Sequence, residues 1–148
     1  MNDSRRQTIA EYDNATLYND YVFESIVKQY ENKNAVVIYF SDHGEEIYDY
    51  RDVLGRVGPD ESMIGEFKAS MFDVPFMIWM SDEFISQNPE TVERIKAASA
   101  LRGSTDCVGH TILGLAGFKS APYKAEYDIL SVDYKPFTRK TLENINYD

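Results

Sequence analysis

The chain has 148 residues, 43% of them hydrophobic and 14% aromatic, so it can form the core of one globular domain and is neither disordered nor fibrous. Its 15 Lys and Arg residues against 25 Asp and Glu residues give a net charge of −10. That charge argues against nucleic acid or an anionic membrane surface as a partner, because their phosphates would repel the chain.

The N-terminal residues contain no apolar stretch of the kind found in a signal peptide. No apolar run approaches the roughly 18 residues that are needed to span a bilayer. We therefore expect a soluble chain with no export signal and no membrane segment. The single cysteine excludes an intramolecular disulfide and a CxxC motif, and it leaves the redox compartment open.

The first part of the chain predicts a helix followed by a buried strand. Residues 1–14 are polar and are expected to form an N-terminal arm. Apolar residues recur at helical spacing over residues 15–30, and Asn14 is suited to cap this helix. Residues 35–40 are apolar without alternation, which is typical of a strand that is covered on both faces in a parallel α/β sheet.

A long excursion separates this strand from a second one. Residues 47–70 have weak periodicity and contain Gly58 and Pro59, and loops of this length are usually functional or mobile. Residues 73–80 again form an apolar run and predict a strand. Pro75 fits the first residues of this strand, where a missing backbone donor is tolerated.

The C-terminal part predicts two more helices and a strand. The helices are expected at residues 89–101 and 105–115, ended by Gly103 and Gly117, and the strand at residues 127–134. The order of helices and strands along the chain predicts a layered α/β fold.

The candidate functional residues follow the first strand. In α/β sheets the ligand crevice lies outside the carboxyl ends of the strands, where Asp42 and His43 stand next to Gly44. A carboxylate and an imidazole are natural ligands for Zn²⁺ or another divalent metal. Glu45 and Glu46 are candidates for orienting the imidazole through its other nitrogen. The alternative is that Asp42 caps the next segment and His43 is an ordinary loop histidine.

Two further residues are weaker candidates. His110 lies among apolar residues of the predicted helix 105–115, so helix packing explains it better than a ligand role does. Arg56, in the long excursion, is either a contact for a phosphate oxygen or an ordinary surface arginine.

Four segments resemble one family in their order and approximate spacing. They are YDNATLYNDYVFESIV, VVIYFSDHGEE, FDVPFMIWMS and HTILGLAG, and they cover about residues 11–118. Together they resemble the C-terminal half of the lipopolysaccharide phosphoethanolamine transferases, sulfatase-like members of the alkaline phosphatase superfamily. The SDHGE element after an apolar strand is the most specific of the four.

The resemblance implies a fold and a chemistry. The family's fold is an α/β/α sandwich around a mostly parallel sheet. A threonine nucleophile activated on zinc takes phosphoethanolamine from phosphatidylethanolamine and passes it to lipid A or to core sugars of lipopolysaccharide. These enzymes work at the periplasmic face of the inner membrane. Asp42 and His43 match the two zinc ligands of the family's DHG element.

The chain also departs from the family pattern. The membrane-spanning region, the nucleophilic threonine and an acidic zinc ligand of the family lie upstream of the matching segments, and no threonine of this chain takes the nucleophile's place. We therefore expect residues 1–148 to form a single but incomplete sulfatase-like domain, inactive alone and prone to self-association. A sulfatase-like hydrolase of sulfuric or phosphoric esters, or a non-catalytic remnant, remains an alternative.

Overall fold

The computed structural model describes residues 3–49, 52–56, 68–118, 121–136, 138 and 140. These residues form helices and short strands in two compact units, Met1–Phe84 and Ile85–Asp148. In chain order the elements are α1 (Asp3–Tyr30), β1 (Val36–Phe40), β2 (Glu46–Ile47), β3 (Leu54–Gly55), α2 (Lys68–Phe72), β4 (Phe76–Met80), α3 (Asp82–Gln87), α4 (Pro89–Ala98), α5 (Asp106–Leu115) and a 3₁₀ turn (Ala125–Tyr127).

Helix α1 is 28 residues long and includes the segment that was expected to be a polar arm. The predicted start at Asn14 is therefore wrong. Local bonds support the early turns, since Gln7 donates to Glu11 at 2.8 Å and the Thr8 hydroxyl donates to the Ser4 carbonyl at 3.1 Å. None of the side chains of α1 is buried, so no apolar stripe marks where the helix begins.

No helix in the described part of the chain combines the length and the apolar character that crossing a membrane requires.

Strands β1 and β4 pair with each other in an antiparallel two-stranded sheet, with Val36 opposite Met80 and Phe40 opposite Phe76. The other sheet of the described residues, β2 with β3, is also antiparallel and two-stranded. The expectation of a mostly parallel sheet is therefore not met within these ranges. An apolar run records burial but not the direction of the neighbouring strand, and most residues of β1 are only half-buried.

Side-chain bonds from Ser81 close the β1–β4 pair at one end. Its hydroxyl donates to the Lys33 carbonyl at 2.6 Å and accepts from the backbone N–H of Ala35 at 3.2 Å. The Ser81 N–H donates to the Ala35 carbonyl at 3.1 Å. Ser81 is buried, and its bonds to Lys33 and Ala35 hold the chain at the start of β1. Because this end of β1 is held, the residues that follow its other end are also held in place.

The excursion at residues 47–70 contains structure of its own. The β2–β3 hairpin lies at its start, and α2 lies at its end. Gly58, Pro59 and the rest of residues 57–67 lie outside the described residues, as do residues 50 and 51. Three residues separate α2 from β4, which begins at Phe76, so Pro75 precedes the strand that was predicted to start at residue 73.

In the second unit, α4 and α5 confirm the two predicted helices. Helix α4 buries Val92 and Ile95, and it ends at Ala98 rather than close to Gly103. Helix α5 ends at Leu115, and Gly117 follows with a φ of 78°, a left-handed conformation that favours glycine.

The predicted strand at residues 127–134 is wrong, because the segment folds into turns. Both oxygens of Asp128 are used locally: Oδ1 accepts from the Leu130 N–H at 2.9 Å, and Oδ2 accepts from the Tyr123 hydroxyl at 2.8 Å. The Ile129 N–H donates to the buried hydroxyl of Thr111 at 3.2 Å. Side chains thus bind the backbone donors that a partner strand would otherwise need to bind.

Candidate metal centre

Asp42 and His43 lie immediately beyond the end of β1, and their side chains approach each other. His43 Nε2 is 3.5 Å from Asp42 Oδ1. The Asp42 side chain is 81% exposed and that of His43 is 38% exposed. Both side chains are therefore accessible to solvent, His43 less so than Asp42. Adjacent residues would point to opposite faces within a strand, and the turn after Phe40 is what brings them together.

The other ring nitrogen of His43 is already bonded. Nδ1 lies 3.0 Å from the Gly44 carbonyl oxygen. Because a carbonyl oxygen can only accept, Nδ1 carries the proton, and in the neutral ring the lone pair is on Nε2. Two acceptor atoms, Nε2 and Oδ1, then face each other, which is favourable when a cation or a proton lies between them.

The spacing of these atoms fits a tetrahedral zinc ion. Bonds of about 2.0–2.2 Å that meet at a tetrahedral angle place two ligand atoms about 3.3–3.6 Å apart. The observed separation of 3.5 Å lies in that range. A backbone carbonyl that holds the second imidazole nitrogen is a usual arrangement for a metal-bound histidine. The described residues contain no group of three or more His, Cys, Asp and Glu side chains that could hold a metal ion.

Backbone contacts fix the loop that presents this pair. The Ser41 N–H donates to the Pro75 carbonyl at 3.3 Å, and the Ser41 hydroxyl donates to the His43 carbonyl at 2.8 Å. The Gly44 N–H donates to the Met71 carbonyl at 3.1 Å, which ties the loop to α2. The loop that carries the pair is therefore held by hydrogen bonds before Asp42, to Pro75, and after His43, to Met71.

Gly44 is required sterically at this position. A Cβ there would overlap the Ser70 carbonyl oxygen and would lie 2.8 Å and 2.9 Å from the carbonyl carbon and oxygen of Met71. All three atoms belong to the backbone of α2, so no side-chain rotation makes room for it. From the sequence, a small residue at position 44 allows both the turn and a close backbone approach. The structure identifies the approaching backbone as that of α2.

The other predicted site residues differ from one another in burial. Glu46 is fully buried in β2. Glu45 is half-buried, with Oε1 3.7 Å from the point where a Cβ on Gly55 would lie. Arg56 is exposed just after β3. The second nitrogen of His43 bonds to the Gly44 carbonyl, a backbone oxygen to which side-chain chemistry alone does not point. An orienting role for Glu45 and Glu46 stays a prediction.

A contact from α1 to the β2–β3 hairpin was also missed at the sequence level. The guanidinium of Arg5 pairs with Asp52 and lies 5.0 Å from the centre of the Tyr48 ring. Tyr48 has a φ of 61°, which is uncommon for a tyrosine. No signal in the sequence joins an arginine in the first helical turn to a hairpin more than 40 residues later.

His110 lies in the second unit, on α5. Its Nδ1 accepts from the backbone N–H of Lys124 at 3.2 Å, and its ring centre lies 5.5 Å from that of Tyr127. This placement agrees with the expectation that it packs between structural elements.

Comparison with known proteins identifies relatives of this chain. The sequence is 30% identical over 147 residues to phosphoethanolamine transferase EptC of Escherichia coli K12, covering 94% of this chain and 23% of that protein. It is 30% identical to Kdo(2)-lipid A phosphoethanolamine 7''-transferase of the same strain, covering 79% of this chain and 20% of that protein. The chain thus spans about a quarter of the length of the curated relatives it matches.

Solved structures give the same result. The C-terminal periplasmic domain of EptC from Escherichia coli superposes with a TM-score of 0.75 and 30% identity, over 94% of this chain and 38% of that one. The same domain in complex with Zn superposes with a TM-score of 0.75 and 29% identity, over 93% of this chain and 37% of that one. The sequence pattern of the sulfatase family matches residues 1–118, which is most of the chain. The chain belongs to the sulfatase family.

Proposed function

We propose that this chain supplies part of the zinc site of a phosphoethanolamine transferase that acts on lipid A or on the lipopolysaccharide core. The observation that carries the proposal is the Asp42–His43 pair, 3.5 Å apart and oriented by the bond between His43 and the Gly44 carbonyl. Two further facts support it: the chain is similar to transferases of phosphoethanolamine, and one similar domain was solved with zinc.

In this proposal Asp42 Oδ1 and His43 Nε2 hold the metal. Zinc bound there supplies positive charge that stabilises phosphoryl oxygens and lowers the pKa of a hydroxyl nucleophile. The Gly44 carbonyl keeps the imidazole in the tautomer that can bind a metal. Arg56, which is exposed, is the candidate for a phosphate contact from the solvent side. The donor is phosphatidylethanolamine, met at the periplasmic face of the inner membrane.

We further propose that residues 1–148 are part of one sulfatase-like domain, which in its complete form is an α/β/α sandwich around a mostly parallel sheet. The nucleophilic threonine and a further acidic ligand belong to positions that the matching segments do not cover. We therefore expect residues 1–148 alone to turn over neither phosphate nor sulfate esters.

The function is tested by mass spectrometry of lipid A and lipopolysaccharide core from cells that produce the whole reading frame containing residues 1–148. We expect the mass to increase by one phosphoethanolamine. The change Asp42→Asn should abolish this increase, because it replaces a charged ligand by a neutral one at a site with few protein ligands. Asp82→Asn, in the first turn of α3, is the control and should leave the transfer unchanged.

Each other outcome favours a different function. Release of sulfate or phosphate from ester substrates, dependent on Asp42 and without transfer, would mean a sulfatase-like hydrolase. No turnover together with no zinc uptake by the chain would mean a remnant that keeps the fold without the chemistry. The DNA upstream of Met1 separates these cases cheaply, because an in-frame threonine and acidic ligand there would favour an enzyme.

We also expect residues 1–148 to self-associate. Leu17, Tyr18 and Tyr21 on α1 are each more than 60% exposed, and Phe40 and Met77 are exposed in the β1–β4 sheet. Exposed apolar groups of this number favour association. Sedimentation velocity should give a mass above that of a monomer, rising with concentration, and Tyr18→Glu should lower it. A monomer at all concentrations would contradict this expectation.

A further inference from the structure

Strand β1 has one paired edge and one open edge in the part of the chain that the structure describes. Strand β4 pairs with one edge, and no other described strand pairs with β1. The bonds at the two ends of the pair run from the Ser81 N–H to the Ala35 carbonyl and from the Ser41 N–H to the Pro75 carbonyl. Each bond joins residues that lie opposite each other in the register, so the two bonds fix which positions of β1 face β4.

The alternation of an antiparallel ladder assigns the residues between these two bonds. At odd positions, Val37 and Tyr39 direct their backbone N–H and C=O groups to β4. At even positions, Val36, Ile38 and Phe40 direct theirs to the open edge. The backbone groups of the open edge form a short template with which a further strand can pair.

Helix α1 carries an apolar row next to the side that contacts β1. The centre of the Phe23 ring lies 5.6 Å from that of Tyr39, edge to face, so this side of the helix rests on the strand. Four residues at intervals of four, which lie in one row along a helix, pass beside Phe23 and form the α1 stripe: Tyr18, Val22, Ile26 and Tyr30. They are between 37% and 65% exposed, so β4 does not cover them.

The other flank of α1 has the character of a solvent-facing surface. Glu24 and Lys28 form an ion pair there, at 2.6 Å, and both side chains are well exposed. Leu17 lies on the same flank, because nine residues, or two and a half turns, separate it from Ile26 in the α1 stripe. The helix therefore has a charged flank suited to water and an apolar flank that lacks a cover among the described residues.

The connection from α1 to β1 indicates what kind of element covers the stripe. A helix that rests on a sheet and leads into one of its strands is the second half of a strand–helix–strand unit. In such units the first strand runs parallel to the second, and the crossover is right-handed in nearly all cases. Most of the solved EptC domain lies outside the region that matches this chain, so a similar domain contains enough further polypeptide to supply such a strand.

We propose that the open edge of β1 and the α1 stripe form one surface that binds a β-strand parallel to β1. The strand belongs to the part of a sulfatase-like domain that residues 1–148 do not match. The proposal rests on the proposed function, in which residues 1–148 are part of a larger domain, and it names the surface at which the rest of that domain joins.

The bound strand makes two kinds of contact. Its backbone pairs with Val36, Ile38 and Phe40, and the apolar side chains of one of its faces pack on the α1 stripe. Because it is parallel to β1, it ends at the same edge of the sheet as β1, beside the Asp42–His43 pair. The residues that follow it are therefore brought to the side of the domain on which the proposed metal site needs further ligands.

Amide hydrogen exchange resolved to single residues tests this surface in two samples. The first is residues 1–148, at a concentration at which sedimentation shows a monomer, and the second is the whole reading frame that contains them. In the first sample the amides of Ile38 and Phe40 should exchange at least about tenfold faster than those of Val37 and Tyr39, which are bonded to β4. In the second sample all four amides should exchange slowly.

Ile26→Glu and Leu17→Glu form a matched pair of variants, since each places a charge at an exposed apolar position on one of the two flanks of α1. In the whole reading frame, Ile26→Glu should raise the opening constant at Ile38 and Phe40 at least about tenfold, because it removes an apolar side chain from the contact with the bound strand. Leu17→Glu should leave this constant unchanged. Slow exchange of the amides that are bonded to β4 shows in each variant that the β1–β4 pair stays folded.

Fast exchange of Ile38 and Phe40 in the whole reading frame would overturn the proposal, whatever the variants do. Protection of these amides that appears only as the concentration rises would also overturn it, because a second copy of the chain would then occupy the edge. Equal effects of Ile26→Glu and Leu17→Glu would contradict the part assigned to the α1 stripe. The exchange depends neither on zinc nor on transfer of phosphoethanolamine, so failure of this surface and failure of the proposed function are separate results.

Discussion

Replacing Gly44 by alanine should lower the free energy of unfolding of the first unit by about 3 kcal/mol, near the upper end of the usual cost of overpacking. The new Cβ would meet three backbone atoms of α2, in Ser70 and Met71. Relief requires α2 to move away from the loop, which would break the bond of the Gly44 N–H to the Met71 carbonyl. Urea unfolding followed by the fluorescence of Trp79, the one tryptophan of the chain, measures this loss in the first unit.

Gly109→Ala is the control for this substitution. Gly109 lies in α5, and a Cβ there would meet nothing within 4 Å. The substitution should therefore stabilise the second unit by about 0.5–1 kcal/mol, as expected for alanine in place of glycine in a helix. Amide hydrogen exchange of residues in α5 measures the stability of the second unit in this case. If both substitutions changed the free energy of unfolding in the same direction and by similar amounts, the steric role of Gly44 against α2 would be contradicted.

The sequence was sufficient to predict the position of the Asp42–His43 pair but not what supports it. An apolar run followed by short polar residues and a glycine marks the end of a strand and a turn. The structure confirms that turn and brings the two side chains within 3.5 Å. The steric need for Gly44 depends on α2, some 26 residues away in the chain, and sequence patterns carry no information about such a contact.

The errors in the fold predicted from the sequence also arise from contacts and exposure that a sequence pattern does not show. Residues 3–14 are helical without a buried face, so hydrophobic periodicity, the main signal for a helix, is absent there. The run at residues 35–40 indicated a strand correctly, but that strand is half-buried and not covered on both faces. The direction of its partner is set by the course of the chain between β1 and β4. The turns at residues 128–134 depend on the Asp128 carboxylate, whose bonds override the local strand preference.

The second large effect is expected on zinc uptake. Residues 1–148 should bind Zn²⁺ weakly, because two protein ligands leave most of a tetrahedral shell to water. His43→Asn should reduce the affinity at least about 10-fold, the lower end of what is lost when groups that only orient a ligand are removed. Isothermal titration calorimetry measures the affinity, and the absorption spectrum of bound Co²⁺ reports whether a nitrogen ligand is present.

His110→Asn is the matched control, because it removes the other of the two histidines from a unit that does not contain the pair. Its zinc affinity should equal that of the unchanged chain. Equal losses in both variants would mean that zinc binds to histidines without a built site. Tight, stoichiometric uptake by the unchanged chain would contradict the expected weak binding and require further ligands from the same chain.

The pH dependence of zinc uptake distinguishes binding at His43 from binding at carboxylates alone. A proton and a metal ion compete for the lone pair of His43 Nε2, because Nδ1 is already committed to the Gly44 carbonyl. Affinity for zinc should therefore rise as the pH increases and then level off, and His43→Asn should remove most of this dependence. If the dependence persisted in that variant, the metal would bind at carboxylates instead, and the 3.5 Å contact of Asp42 with His43 would be an ordinary ion pair.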